Sequence, residues 1–229
     1  MKFKNYDKSV IFRVYSYIGY LLTLFIKNKI HYNLNNRGWE NWDSKEVIER
    51  MDLLYHKSMD DENTGRPFII NLLNNKINEG DKMLDAGCGP AIFYERLSKL
   101  KKFDYTGIDN SKKVVDYCKK KFKKANFDVS DLYNLNFKDN YFDIVLCVDV
   151  LEHVANYEKI IKELLRVSKK YVIIHTHITP GKMKVIKPNP FYSITYNIID
   201  FENTLKKNNI KMFKGFWINN KDRTYLIEK

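Results

Sequence analysis

The sequence predicts an α/β fold: a mostly parallel seven-stranded sheet with helices on both faces and an antiparallel hairpin at its C-terminal edge. Three observations predict it. Apolar runs of strand length alternate with amphipathic stretches of helix length from residue 67 to residue 208, the order that builds a parallel sheet. One such run ends in Asp85, Gly87 and Gly89, and the next, Tyr105 to Ile108, ends in Asp109, twenty positions after Gly89. A strand, a glycine turn, a helix and an acid at the tip of the next strand make a nucleoside-binding βαβ unit. Finally, two strand-like runs over 211–218 and 223–228 flank Asn219-Asn220-Lys221-Asp222, a hairpin turn.

Residues 1–35 stand apart from this alternation. Val14 to Ile26 carries no charge, with Arg13 before it and Lys27 and Lys29 after. Its 13 residues are fewer than the roughly 20 a membrane span needs, and no small-residue cleavage site follows Ile26. The tyrosines inside it and the lysines beside it fit a helix lying in a membrane interface. They equally fit a helix packed over a ligand or against a second subunit. Residues 36–66 bring Trp39, Trp42, Asp43, Tyr55, His56, Asp60 and Arg66. We take 1–66 as an N-terminal helical cap segment and 67–229 as the sheet-bearing body of the same domain.

Pro67 opens a helix over 67–75. There follow strand 82–86, helix 91–100, strand 104–108, helix 111–123, strand 125–128, strand 142–148, helix 156–167 and strand 171–176. Asp139-Asn140 turns the chain into 142–148. An insertion from Thr179 to Asn197 and a helix over 200–208 precede the hairpin. The chain shows no internal repeat and no low-complexity tract.

Composition excludes a disordered chain: 229 residues with 44% hydrophobic and 14% aromatic content suffice for one α/β domain with a sizeable core. Cys88, Cys118 and Cys147 have no ligand-like spacing, which suits a reduced, intracellular protein without disulfides. The net charge of +12 favours acidic partners such as nucleic acid, anionic lipid or phosphorylated substrates. Its densest run, Lys119-Lys120-Lys121 with Lys123-Lys124, closes a helix, where basic residues complement the dipole on a solvated face.

Taken in order, Leu84–Pro90, Gly107–Ser111, Asp128–Leu132, Phe142–Cys147 and Val150–Val154 resemble the successive motifs of the class I S-adenosylmethionine-dependent methyltransferases, in the variety that includes ubiquinone and menaquinone methyltransferases. The resemblance covers roughly residues 80 to 177. It implies a Rossmann-like sheet and S-adenosylmethionine as cofactor. It departs at Ala91, where a third glycine is usual, and at Ser168-Lys169-Lys170, where a Pro-Gly-Gly turn is common. By the resemblance, Gly87 and Gly89 let the turn approach the cofactor and Asp85 orients its amino group. Asp109 holds the ribose hydroxyls, Asp128 and the Val129 amide meet the adenine, and Cys147 sits at a strand end where ligands gather. The segment before the first strand would cover the cofactor, with Tyr55 and His56 either reaching it or serving as packing and surface residues.

Methyl transfer to a hydroxyl needs a base. Asp149, Glu152 and His153, at offsets of three and four, would share one face of a helical turn. His153 is the candidate catalytic base, its imidazole suited to accept a proton near neutral pH. The same three residues suit a divalent cation, or a merely structural cap on the loop. We assign no metal. His175 and His177 alternate on their strand and so point to one face, a metal half-site without a third ligand or a lining of pocket and core. The insertion, with Lys182, Lys184, Lys187, Tyr192 and Tyr196, leaves a strand's carboxyl end and would cover the acceptor, its basic and aromatic residues suiting a phosphate or sugar or an ordinary surface loop.

The expected function is methylation, on oxygen, of a small molecule or saccharide, including a membrane-associated glycan or lipid precursor. The chain would be cytoplasmic, with peripheral membrane association through residues 10–30; its oligomeric state is left open. Two alternatives stand beside this. An RNA methyltransferase suits the charge, but the Asn/Asp-Pro-Pro-aromatic motif of adenine amino methylation is missing after the fourth strand, and Asn189-Pro190-Phe191 follows the fifth. A non-catalytic cofactor-binding protein would keep the acids at 85, 109 and 128 without turnover.

Overall fold

The computed structural model of the protein describes residues 44–154, 156–186, 193–208, 210 and 212–229. The expectations for the apolar segment 14–26, Trp39, Trp42, Asp43, Lys187, Asn189-Pro190-Phe191 and Tyr192 lie outside them. Residues 38–229 form one compact unit.

Ser44 caps helix α1 (Lys45–Ser58), its Oγ accepting from the Val47 amide at 3.2 Å. A 3₁₀ turn (Glu62–Thr64) and Gly65 in the left-handed region lead into α2 (Arg66–Lys76). Next come β1 (Lys82–Ala86), α3 (Ile92–Leu97), β2 (Asp104–Asp109), α4 (Lys112–Lys121), β3 (Asn126–Val129) and β4 (Phe142–Val148). A second 3₁₀ turn (Leu151–His153) is followed by α5 (Tyr157–Val167), β5 (Ser168–Thr179), β6 (Lys184–Ile186), β7 (Ser193–Asn197), α6 (Ile198–Lys207), β8 (Met212–Trp217) and β9 (Asp222–Glu228).

All seven expected strands form. β3, β2, β1, β4 and β5 run parallel in that order, β9 joins β5 antiparallel along Tyr171–His177, and β8 closes the edge. Two differences stand out. β5 begins at Ser168, so the residues standing where a Pro-Gly-Gly turn is common are themselves strand; a register shift between Phe142 and Ile144 absorbs them. β5 also runs on past His177, and there Ile178 and Thr179 pair with β7, to which β6 adds antiparallel. The insertion is therefore a hairpin seated on the sheet. Its strands are three and five residues long, too short for periodicity to distinguish from loop. α3 is shorter than the expected 91–100: it starts after Ala91, which takes the left-handed conformation, and stops at Leu97.

Side-chain alternation fills two core layers. Val145, Cys147, Val172, Ile174, Tyr225 and Ile227 face one side of the sheet with α5 and α6. Their neighbours Ile144, Leu146, Ile173 and Leu226 face the other, with α2, α3 and α4. From β1 the chain steps to β2 on one side, and later returns to β4 on the other. The crevice at the carboxyl ends of β1 and β4 lies at this switch point, where open α/β sheets bind ligands.

Candidate active site

The glycine turn leaves β1 under steric constraint. Gly87 has φ +82°, and a Cβ there would lie 2.4 Å from the Val150 side chain. No L-residue side chain fits between the turn and the loop after β4. The Gly87 and Cys88 amides donate to the Ile108 carbonyl at 2.8 and 2.9 Å, fastening the turn to β2. The Gly89 amide donates to Asp109 Oδ2 at 3.1 Å, while Oδ1 accepts from the Ser111 amide at 3.0 Å. Two backbone donors thus fix the Asp109 carboxylate at the tip of β2. Register places Asp128 beside Ile108 and Val129 beside Asp109, both exposed at the end of β3.

Asp85 is buried and accepts from Tyr105 Oη at 2.7 Å. Burial pushes its carboxyl up to about 7; the Tyr105 bond opposes that rise and Asp109 adds to it. Cys147 is fully buried in the core layer with α5, so its thiol does not line the crevice and only its backbone is left to meet a ligand there.

α1 covers the turn. A Cβ at position 89 would lie 3.5 Å from Met51 Cε and 3.7 Å from Tyr55 Cε2, so the missing side chain keeps a gap open between turn and helix. The Arg66 guanidinium lies over the Tyr55 ring at 4.4 Å and pairs with Asp149. Burial, with Asp149, drives the Tyr55 phenol upward against Arg66, and Glu152 and Asp109 push the same way. His56 turns away, its Nδ1 2.8 Å from the Asp52 carbonyl and its Nε2 3.2 Å from Glu95 on α3. Of the pair singled out in the sequence, Tyr55 faces the site and His56 ties α1 to α3.

The shared helical face of Asp149, Glu152 and His153 does not form. Asp149 has φ +56° and precedes the 3₁₀ turn, which begins at Leu151. Its carboxylate goes to Arg66 and, at 3.6 Å, to His175 Nε2. Glu152 turns inward, accepts from Thr176 Oγ1 at 3.0 Å, and is pushed up to about 8 by burial and Asp149. His153 is half-buried at the end of the turn. Among the described residues no three His, Cys, Asp or Glu side chains converge as metal ligands.

His175 and His177 share a face but not an environment. His175 is buried, its Nδ1 2.8 Å from Thr224 Oγ1, and Gly65 leaves room for its ring: a Cβ there would meet Cε1 at 2.7 Å. Burial holds its imidazole below the usual range. His177 keeps 19% side-chain exposure, with Nδ1 3.0 Å from Ser193 Oγ, Nε2 3.4 Å from Asp222 Oδ1 and 4.0 Å from Glu152 Oε1. Sequence reasoning missed Asp222, which looked like a turn residue; only the β5–β9 register sets it opposite His177. It missed Ser193 because nothing marked β7 as a strand. It missed Gly107, where a Cβ would stand 2.8 Å from the Phe127 ring.

Tyr196 is not an acceptor-facing residue. Its ring is buried at 4.4 Å from Tyr157, and its hydroxyl donates to the carbonyls of Leu151, at 2.7 Å, and Val154. It clamps the insertion onto the second 3₁₀ turn. Lys182 and Lys184 are exposed.

Residues 84–174 match the family model described as a methyltransferase domain. An uncharacterized protein of Methanocaldococcus jannaschii is 35% identical over 63% of this chain and 59% of its own length. Norajmaline N-methyltransferase of Rauvolfia serpentina is 34% identical over 44% of this chain and 36% of its own. A ubiquinone biosynthesis O-methyltransferase of Rickettsia prowazekii is 30% identical over 52% and 45%. The chain thus spans less than two thirds of the length of these curated relatives. The solved structure of a SAM-dependent methyltransferase from Aquifex aeolicus superposes with a TM-score of 0.60 at 19% identity, over 79% of this chain and 97% of that one, and shares the fold.

Proposed function

We propose that the chain is a class I S-adenosylmethionine-dependent methyltransferase, as its match to the methyltransferase-domain family and its methyltransferase relatives support, and that it methylates an oxygen of a small molecule or saccharide. When bound, S-adenosylmethionine supplies a methyl group activated by its sulfonium. Asp109 would hold the ribose hydroxyls, Asp128 and the Val129 amide the adenine, and Asp85 the amino group. Gly87 and Gly89 keep the turn bare for close approach. The fit rests on the gap preserved at Gly89 and on the carboxylate that the Gly89 and Ser111 amides orient.

One observation carries the choice of oxygen: imidazoles and carboxylates gather at the carboxyl ends of β4 and β5 and the start of β9, beside the glycine turn. A hydroxyl must lose its proton as it is methylated, and such groups remove protons. His153 we place at the acceptor, as a residue that touches it. Ser193 offers a hydroxyl of the kind a polyhydroxylated acceptor hydrogen-bonds to. The membrane-delivered acceptor and peripheral association through residues 10–30 belong to this proposal too.

The test is label transfer from methyl-labelled S-adenosylmethionine into a fractionated cell extract, with Asp109→Ala as control. Label in the small-molecule, lipid or saccharide fraction supports the proposal. Label in RNA, or binding of cofactor without transfer to any fraction, overturns it.

A further inference from the structure

Three chain segments brought together only by folding surround His177. On one side Asp222, at the start of β9, presents Oδ1 at 3.4 Å from Nε2. That oxygen is buried and accepts no hydrogen bond from any described residue, while Oδ2 accepts from Asn219 at 2.6 Å. A buried carboxylate oxygen left without a donor is costly, and the Nε2 proton is the donor in reach. A neutral ring that gives its Nε2 proton to Asp222 keeps its Nδ1 lone pair toward Ser193, whose hydroxyl, 3.0 Å away, then donates to it. Nδ1 is thus a proton acceptor already engaged with a hydroxyl, oriented from behind by a carboxylate. His175 is closed off by contrast, fully buried against Thr224, Asp149 and the Gly65 backbone.

We propose that His177 takes the acceptor's proton: the acceptor hydroxyl passes it to Ser193 Oγ as the Ser193 proton moves to His177 Nδ1, and Asp222 stabilises the imidazolium. This rests on the methyl transfer proposed above. The acceptor oxygen exchanges its O–H bond for an O–CH₃ bond, the proton ends on Nδ1, and the electron pair of the broken C–S bond stays on sulfur. Facing the ring are Glu152, Asp149 and His153 from the loop after β4, Lys221 and Asp222 from the hairpin, and Ser193 from β7. Burial and Lys221 lower its imidazole to about 4 against the pull of the two aspartates, so the proton-accepting form is the populated one at neutral pH.

The test pairs transfer with two readouts that do not depend on turnover. His177→Gln retains hydrogen bonding to Ser193 and abolishes proton uptake. It is expected to lower label transfer at least ~100-fold with cofactor affinity by calorimetry changed less than about twofold; Asp222→Asn should share most of the loss. In ¹⁵N spectra of the wild type, His177 should be neutral with the proton on Nε2 from pH 6 to 9, and Asp222→Asn should disturb that tautomer. Transfer by His177→Gln within about threefold of wild type, or a proton on Nδ1, overturns the assignment while leaving the methyltransferase function standing. No transfer by the wild type itself overturns both.

Discussion

Asp109 and Asp85 end adjacent strands, yet their surroundings give them opposite tasks. Asp109 is half-buried and oriented by two amides; Asp85 lies buried and accepts from the Tyr105 hydroxyl. The fold therefore favours a protonated Asp85. Its carboxyl ionises near 7 when folded and near 3.8 otherwise, so its contribution to stability is full below about pH 4 and is lost as pH rises through 7. Asp85→Asn should remove this dependence: between pH 4 and pH 8 the variant should lose less stability than wild type, by up to roughly 4 kcal/mol. Urea melts of the cofactor-free protein at both pH values measure it, and equal losses would show that Asp85 ionises normally. Asp109→Ala should weaken cofactor binding at least ~100-fold, through lost charge-assisted hydrogen bonds of about 1.5–3 kcal/mol each; near-normal calorimetry would remove it from the site. His153→Ala should depress transfer much more than cofactor affinity, whereas unchanged transfer would leave His153 a structural residue.

At the scale of elements, the carboxyl end of β5 is enclosed by contacts between segments distant in sequence. The β6–β7 hairpin reaches the second 3₁₀ turn through Tyr196, and the covering helix α1 reaches the glycine turn through Met51 and Tyr55. Tyr196→Phe keeps the ring packing and removes both hydrogen bonds. It should cost about 1–3 kcal/mol by taking the hydroxyl donor from the Val154 carbonyl; the Leu151 carbonyl keeps the Val154 amide as a donor. Amides over 193–197 should also exchange faster with solvent. Unchanged exchange would mean that ring packing alone holds the hairpin. The alternation of apolar runs made α2, β1, β2, β4 and α5 legible, because each buries a periodic face. β6 and β7 were not legible: their pairing is supplied by an extension of β5 that only the folded sheet defines.

At the scale of the whole molecule, residues 38–229 hold two core layers around one sheet. A protein of residues 38–229 should therefore melt cooperatively and bind cofactor within about twofold of the full chain, as read by calorimetry; loss of a cooperative transition would make residues 1–37 part of the fold. If the apolar segment 14–26 serves a membrane interface, the full chain should co-sediment with anionic vesicles and the shortened one should not, and equal behaviour would end the membrane proposal. Among the described residues no helix is long and apolar enough to cross a membrane.

By itself the sequence determined the parallel sheet, the glycine turn and the acids that follow its strands, because each is encoded within a few neighbouring residues by periodicity, φ preference and spacing. Only the tertiary structure decided which side chains meet at the carboxyl ends of β4 and β5. Asp149, Glu152 and His153 are close in sequence, but a left-handed residue and a tight 3₁₀ turn send them to different partners. His177, Ser193 and Asp222 lie on three strands, and they converge because β7 and β9 both pair with β5 and so meet at its carboxyl end. Register between strands distant in the chain is settled when the sheet assembles and each strand buries its apolar face.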